Sequence, residues 1–156
     1  MPSASPTPPE RPASRKGVRV LGVDYGERRT GLAMSDEASC IAFPRTTLEC
    51  TRADQAAAAV ARYAAAEGAG KIVVGWPLDM SGGEGPRIAA TRKFLDELQK
   101  RTELPVETWD ERLSTKIAES VLIAAGTRRE KRGAVVDKLA AQVILQSYLD
   151  AHAPLP

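Results

Sequence analysis

Histidine and cysteine are nearly missing from this chain. The one histidine, His152, sits in the tail end, and the two cysteines, Cys40 and Cys50, lie ten residues apart without a CxxC spacing. That scarcity argues against a structural zinc site and against a Ser/His/Asp or Cys/His catalytic arrangement. Both cysteines read as reduced and structural. Long apolar runs are also missing: no stretch reaches membrane-spanning length, and the amino terminus carries no apolar core of a secretory signal, so a cytoplasmic location and no membrane partner are expected. An excess of charge of one sign is missing as well. The net charge is +2, but three of the 22 basic residues (Arg11, Arg15, Lys16) and one of the 20 acidic residues (Glu10) fall in residues 1–17, which leaves 19 of each from Val18 onward. A body so balanced is no general polyanion binder; affinity for nucleic acid has to come from local clusters such as Thr127-Arg128-Arg129-Glu130-Lys131-Arg132.

What is present is the composition of an ordinary globular domain, 43% hydrophobic and 27% charged over 156 residues, long enough for one core and too short for two lobes. Residues 1–16, MPSASPTPPERPASRK, cannot bury enough apolar surface to offset their ordering entropy and are expected to be a disordered tail. A single domain is expected over 17–152, with a short tail at 153–156. The run Val18 to Val23 reads as a buried strand that ends on a carboxylate, Asp24. A turn over Tyr25 to Arg29 leads to a second, antiparallel strand at Thr30 to Met34, with Gly26 and Gly31 allowing a tight turn and close approach of backbone to a ligand. Ile41 to Leu48 reads as a third strand whose Pro44 suits a sheet edge. Further on, the pattern predicts a helix over Ala53 to Glu67 stopped by Gly68 and Gly70, a strand at Lys71 to Gly75 and a Gly-rich loop. A helix from Pro86 to about Arg101, a strand at Val106 to Glu111, a helix from Ser114 or Thr115 to about Ala125, and a last helix over roughly Ala134 to Asp150 follow. Such an order predicts a mixed sheet with helices on its faces.

Three acidic loci stand out. A lone buried carboxylate is costly, so Asp24 calls for a cation, a metal or several donors; the plainer alternative is a solvated hairpin-tip residue. Asp110 and Glu111 close the fifth strand and alternate across it, so that only one can face Asp24, and periodicity does not say which. Asp137 shares a helical stripe with Ala141, Ile144 and Tyr148 and so points where a leucine would be expected, although an acid in a first helical turn also complements the helix dipole. Strand ends of this kind are where open α/β sheets place ligands. Three carboxylates there, without histidine, have the chemistry of a hard-cation site for Mg²⁺ or Mn²⁺. Two such ions can hold a phosphodiester and lower the pKa of an attacking water.

Four segments, VDYGERRTGLAMSD, IVVGWPLDMSGGEGP, DERLST and VDKLAAQVILQSYL, resemble in order and spacing the YqgF/RuvX family. These are RNase H-like proteins related to RuvC-type Holliday junction resolvases and described as pre-16S rRNA nucleases. The resemblance runs from about Val18 to Leu149, and its acids fall on Asp24, the Asp110-Glu111 pair and Asp137. It implies an α/β, RNase H-like fold with a five-stranded mixed sheet, the first three strands antiparallel and the rest parallel. It further implies a metal-dependent nuclease using Asp24, Asp110, Glu111 and Asp137, with Mg²⁺ or Mn²⁺ on Asp24, Glu111 and Asp137. Arg28, Arg29 and Arg112, together with Lys131 and Arg132 of the basic cluster, are the candidate phosphate contacts. The expected role is 5′-end processing of pre-16S rRNA. A junction-resolving or DNA-repair nuclease and a non-catalytic ribosome-assembly factor are the alternatives, and structured or single-stranded DNA stays open as substrate. Charge balance favours a narrow channel for one strand, with Trp76 or Tyr25 to stack on a base. Monomer and homodimer are both compatible with the sequence. An ATP-binding domain of the actin or sugar-kinase type also begins with an Asp-x-Gly hairpin, but it needs a second lobe that this length cannot supply.

Overall fold

Apolar alternation and two glycines set the architecture. The computed structural model describes residues 18–77, 85–110 and 129–152, the backbone only for 129–136. Strands β1 (Arg19–Asp24), β2 (Arg29–Ser35) and β3 (Ala42–Glu49) are followed by helix α1 (Ala53–Glu67), strand β4 (Ala69–Trp76), helix α2 (Pro86–Gln99), strand β5 (Val106–Asp110) and helix α3 (Arg129–Ala151). The sheet order is β3-β2-β1-β4-β5. β1 pairs antiparallel with β2, β2 antiparallel with β3, and β4 runs parallel to both β1 and β5. The expected mixed sheet is therefore the observed one. β3, with Pro44, is an edge strand, where a residue lacking an N–H does least harm. α1 spans the expected residues and ends at Gly68, whose φ of 75° is the left-handed conformation glycine adopts at little cost. The helix expected at Ser114 to Ala125, the Gly-rich loop and residues 1–16 lie outside the described residues.

Alternate residues of each strand feed two cores. Leu21, Val23, Leu32, Met34, Ile72 and Val74 pack with Val60 of α1 and Phe94 and Leu98 of α2. Val20, Ala33, Ala42 and Val73 pack with Ala141, Leu145, Tyr148 and Leu149 of α3. On this second face the sheet carries glycine at two places where α3 comes closest. A Cβ on Gly22 would lie 2.7 Å from the Leu145 Cβ, and one on Gly31 would collide with the Asp137 carbonyl oxygen. The close approach expected of Gly31 is thus made to a helix backbone. Gln142 and Gln146 fix the helix laterally: Gln142 Nε2 donates to the Ala42 carbonyl at 3.0 Å and the Ala42 N–H donates to Gln146 Oε1 at 2.9 Å. Both bonds also cover polar backbone on the edge strand. Cys50 is buried, but Cys40 is exposed on the β2–β3 connection and has no place in the core.

Candidate active site

β1 spends its α3-facing positions on Val20, Gly22 and Asp24, so the strand's last carboxylate points to the helix side of the sheet. It is 6% exposed. The antiparallel register sets Gly31 of β2 opposite Asp24. Because Gly31 has no side chain, the α3 backbone at Asp137 and Lys138 lies directly on it, which brings Asp137, well inside the helix rather than in its first turn, to the same corner of the sheet. The stripe below Asp137, formed by Ala141, Ile144 and Tyr148, is buried as the helical spacing predicted. One candidate side chain is therefore placed by a strand end and the other by a helix lying on glycine.

Beside this corner opens a cleft of about 470 Å³ lined by Tyr25 to Arg29, Pro86, Arg87, Ala90, Thr91 and Asp137. Arg29 Nε donates to Asp137 Oδ2 at 2.8 Å. Arg87 Nη2 stands 3.7 Å from Asp24 Oδ1, an ion-pair distance rather than a hydrogen bond. Burial pushes the Asp137 carboxyl above its ordinary pKa, and the Arg29 hydrogen bond and the charges of Arg29 and Arg87 offset only part of that. The local environment thus disfavours a bare negative charge on Asp137 and rewards any further cation brought to it.

Of the sequence candidates, Asp24, Asp137, Arg28 and Arg29 come together here. Asp110 does not join them. It pairs in register with Trp76 and shares a face with Val106 and Thr108, opposite to that of Glu107 and Trp109, which lie on the α3 side with Val73. Its side chain is exposed on the face turned away from Asp24. Glu111 and Arg112 lie outside the described residues, and Lys131 and Arg132 are located only as backbone of α3. Among the described residues no three acids, histidines or cysteines form a metal-holding group. Asp24 and Asp137 are oxygen donors of the kind Mg²⁺ and Mn²⁺ prefer, and they fit as part of such a set.

One of the two aromatic readings changes. Tyr25 is buried and stacked on Phe94, with ring centroids 4.4 Å apart and planes 12° apart, so its face is taken by the core. Trp76 is half-buried, with Arg92 Cζ 5.7 Å from its ring centroid. The cleft residue that sequence reading missed is Arg87. The only local signal near it was the Gly85-Pro86 start of α2, which fixes where the helix begins but not which strand end it begins beside.

A family model described as RuvX, Holliday junction resolvase, matches residues 18–151. A protein of Symbiobacterium thermophilum named "Putative pre-16S rRNA nuclease" is 44% identical over 139 residues, covering 89% of this chain and 96% of its own length. One of Geobacillus kaustophilus with the same name is 45% identical over 136 residues, covering 86% and 99%. Among solved structures, T. thermophilus RuvC in complex with a Holliday junction substrate superimposes with a TM-score of 0.55 at 15% identity, over 89% of this chain and 99% of that one. At that identity the likeness establishes the shared RNase H-like fold.

Proposed function

The chain belongs to the RuvX family, and from that premise we propose that it is a divalent-metal-dependent nuclease acting in 5′-end processing of pre-16S rRNA in the cytoplasm. The observation that carries the reading is the corner where Asp24, buried at the end of β1 and 3.7 Å from Arg87, stands behind an arginine-lined cleft whose wall includes Asp137, set down on Gly31 by α3. Asp24 and Asp137, joined by Glu111, would hold Mg²⁺ or Mn²⁺, which when bound would supply positive charge that lowers the pKa of an attacking water and offsets negative charge on the phosphodiester. The protein's own contribution is to sink both carboxylates in a site of low dielectric, where they hold a cation more strongly than exposed acids do. Arg28, Arg29 and Arg87 grip the phosphates on either side of the scissile bond, since a guanidinium matches two phosphate oxygens at once. Asp110, on the opposite face, acts outside the ligand set.

RNA is proposed as the substrate ahead of four-way DNA. Relatives at 44–45% identity carry the rRNA nuclease name, and the even charge of the body suits one strand in a cleft better than a duplex on a broad basic face. The family's description as a Holliday junction resolvase keeps the DNA reading as the second one. The test compares cleavage of a precursor 16S leader RNA with that of a mobile four-way junction at equal enzyme and salt, with Asp24→Asn as the blank. Cleavage of the leader, lost in the blank, is expected. Paired symmetric nicks in the junction with the RNA intact would transfer the assignment to DNA.

A further inference from the structure

Each carboxylate of the site has its own arginine. Arg29 Nε lies 2.8 Å from Asp137 Oδ2, and Arg87 Nη2 lies 3.7 Å from Asp24 Oδ1. The exposures are ordered: the side chains of Arg29 and Arg87 are 41% and 56% exposed, those of Asp137 and Asp24 are 23% and 8%. The acids therefore sit deep and the guanidinium groups ride between them and solvent. Around the cleft, Arg28, Arg29 and Arg87 face Glu27, Asp137 and Asp24, so the described charges cancel. Among the described residues, then, no net charge draws a phosphodiester to the cleft, and a divalent cation would add two positive charges to that balance.

A guanidinium has only donors and never loses its charge, so it competes with a metal ion for the same carboxylate. A phosphate oxygen offers it an alternative partner that its planar fork suits well. We propose that Arg29 and Arg87 are exchange groups: each neutralises one acid while the metal is absent and transfers to a phosphate of the substrate when the metal arrives. Metal and nucleic acid then bind with positive coupling, and each raises the affinity of the other equally. Arg87 acquires a role that the acids alone do not suggest, since it gates Asp24 before it holds the substrate. This rests on the reading of Asp24 and Asp137 as metal ligands.

The opposite role, arginines as struts that hold the acids in ligating positions, predicts the reverse effect on metal affinity. Calorimetric titration of Mn²⁺ alone into the full chain separates the two. Arg29→Gln and Arg87→Gln should each bind Mn²⁺ about two- to fivefold more tightly than the parent, because a competing cation of ordinary ion-pair strength is gone. Arg29→Lys, which keeps the charge, should stay close to the parent. Binding of a cleavage-resistant 2′-O-methyl oligoribonucleotide should weaken in the two glutamine variants, with the slope of log affinity against log salt reduced by about one. Mn²⁺ affinity that is unchanged or weaker in both glutamine variants overturns the exchange. If Asp24→Asn binds Mn²⁺ as well as the parent, the metal-site reading fails first and the exchange falls with it. Circular dichroism of each variant checks folding, and either glutamine variant suffices if the other does not fold.

Discussion

The two ends of α3 carry the same ingredients, a carboxylate, a cation and a buried helix face, and use them in opposite ways. At the distal end Tyr148 Oη donates to Glu107 Oε1 at 2.8 Å, Lys71 Nζ donates to Tyr148 Oη at 2.9 Å, and Lys71 Nζ stands 3.1 Å from Glu107 Oε2. Every polar group there is held by two others. Hydrogen bonds from Tyr148 and then Lys71 hold the Glu107 carboxyl below its usual range, and the Tyr148 bond holds the Lys71 ammonium above its own. At the proximal end Asp137 is pushed up by burial in spite of Arg29. The difference lies in the number of donors against the loss of water. Among the described residues Glu107 stays partly wet and gains two donors, whereas Asp137 is more deeply sunk and gains one. The distal cluster ties α3 to β4 and β5, while at the proximal end burial outweighs the one arginine that Asp137 gains among the described residues, which is what the proposed cation site requires.

The sharpest way to break the comparison is to exchange the effects of removing charge at the two ends. Asp137→Asn is expected to reduce cleavage of the leader RNA by more than the roughly 100-fold typical of losing an outer-shell partner. Glu107→Gln should leave kcat/KM within about twofold, because nothing in the cleft touches it. A Glu107→Gln variant as inactive as Asp137→Asn, while still folded, would show that the two ends act as one site.

A smaller effect tests how the proximal end is built. Gly31→Ala places a methyl group against the Asp137 carbonyl, a backbone atom that cannot rotate away. Such overpacking should cost about 3 kcal/mol in denaturant unfolding. It should also lower activity in the molecules that remain folded, because α3 must lift and carry Asp137 with it. An alanine variant with parental stability and activity would mean that α3 does not depend on this close seat.

The smallest effect is a pair of opposite pH dependences in stability. The raised pKa of Asp137 means that the folded state binds its proton more tightly than the unfolded chain does. Its contribution is thus most favourable below the unfolded pKa near 3.8 and is lost as pH rises through the folded value. Asp137→Asn should therefore raise stability at neutral pH slightly, by about 0.5 kcal/mol. The lowered pKa of Glu107 has the reverse sign: its contribution is present above the unfolded pKa near 4.5 and fades as pH falls through the folded value. Glu107→Gln should accordingly lower the midpoint at neutral pH and lose that difference in acid. Thermal melts from pH 3 to 8 read both, and slopes of the same sign for the two variants would contradict the contrast.

Asp24 and Asp137 were legible because each breaks a pattern: a strand of apolar residues ending in a carboxylate, and a helical stripe of apolar residues beginning with one. The order of strands, the edge position of β3 and the span of α1 followed from periodicity and from Pro44 and Gly68, which act locally through φ and the missing N–H. Arg87 could not be found that way, since nothing in the local pattern around Pro86 says which strand end α2 begins beside.

The sequence by itself determined where the chain is extended, where it is helical and which positions are apolar, because these follow from neighbours a few residues apart. It also narrowed the fifth strand to two acids, but alternation along a strand has no absolute phase. Only pairing with β4, which sets Trp76 beside Asp110, decided that Asp110 turns away from Asp24. Tertiary structure likewise took Tyr25 into the core against Phe94 and reserved Gly31 for a helix instead of a ligand. In each case the deciding contact joins residues far apart in the chain, and its energy is settled by which surfaces meet once the sheet has formed.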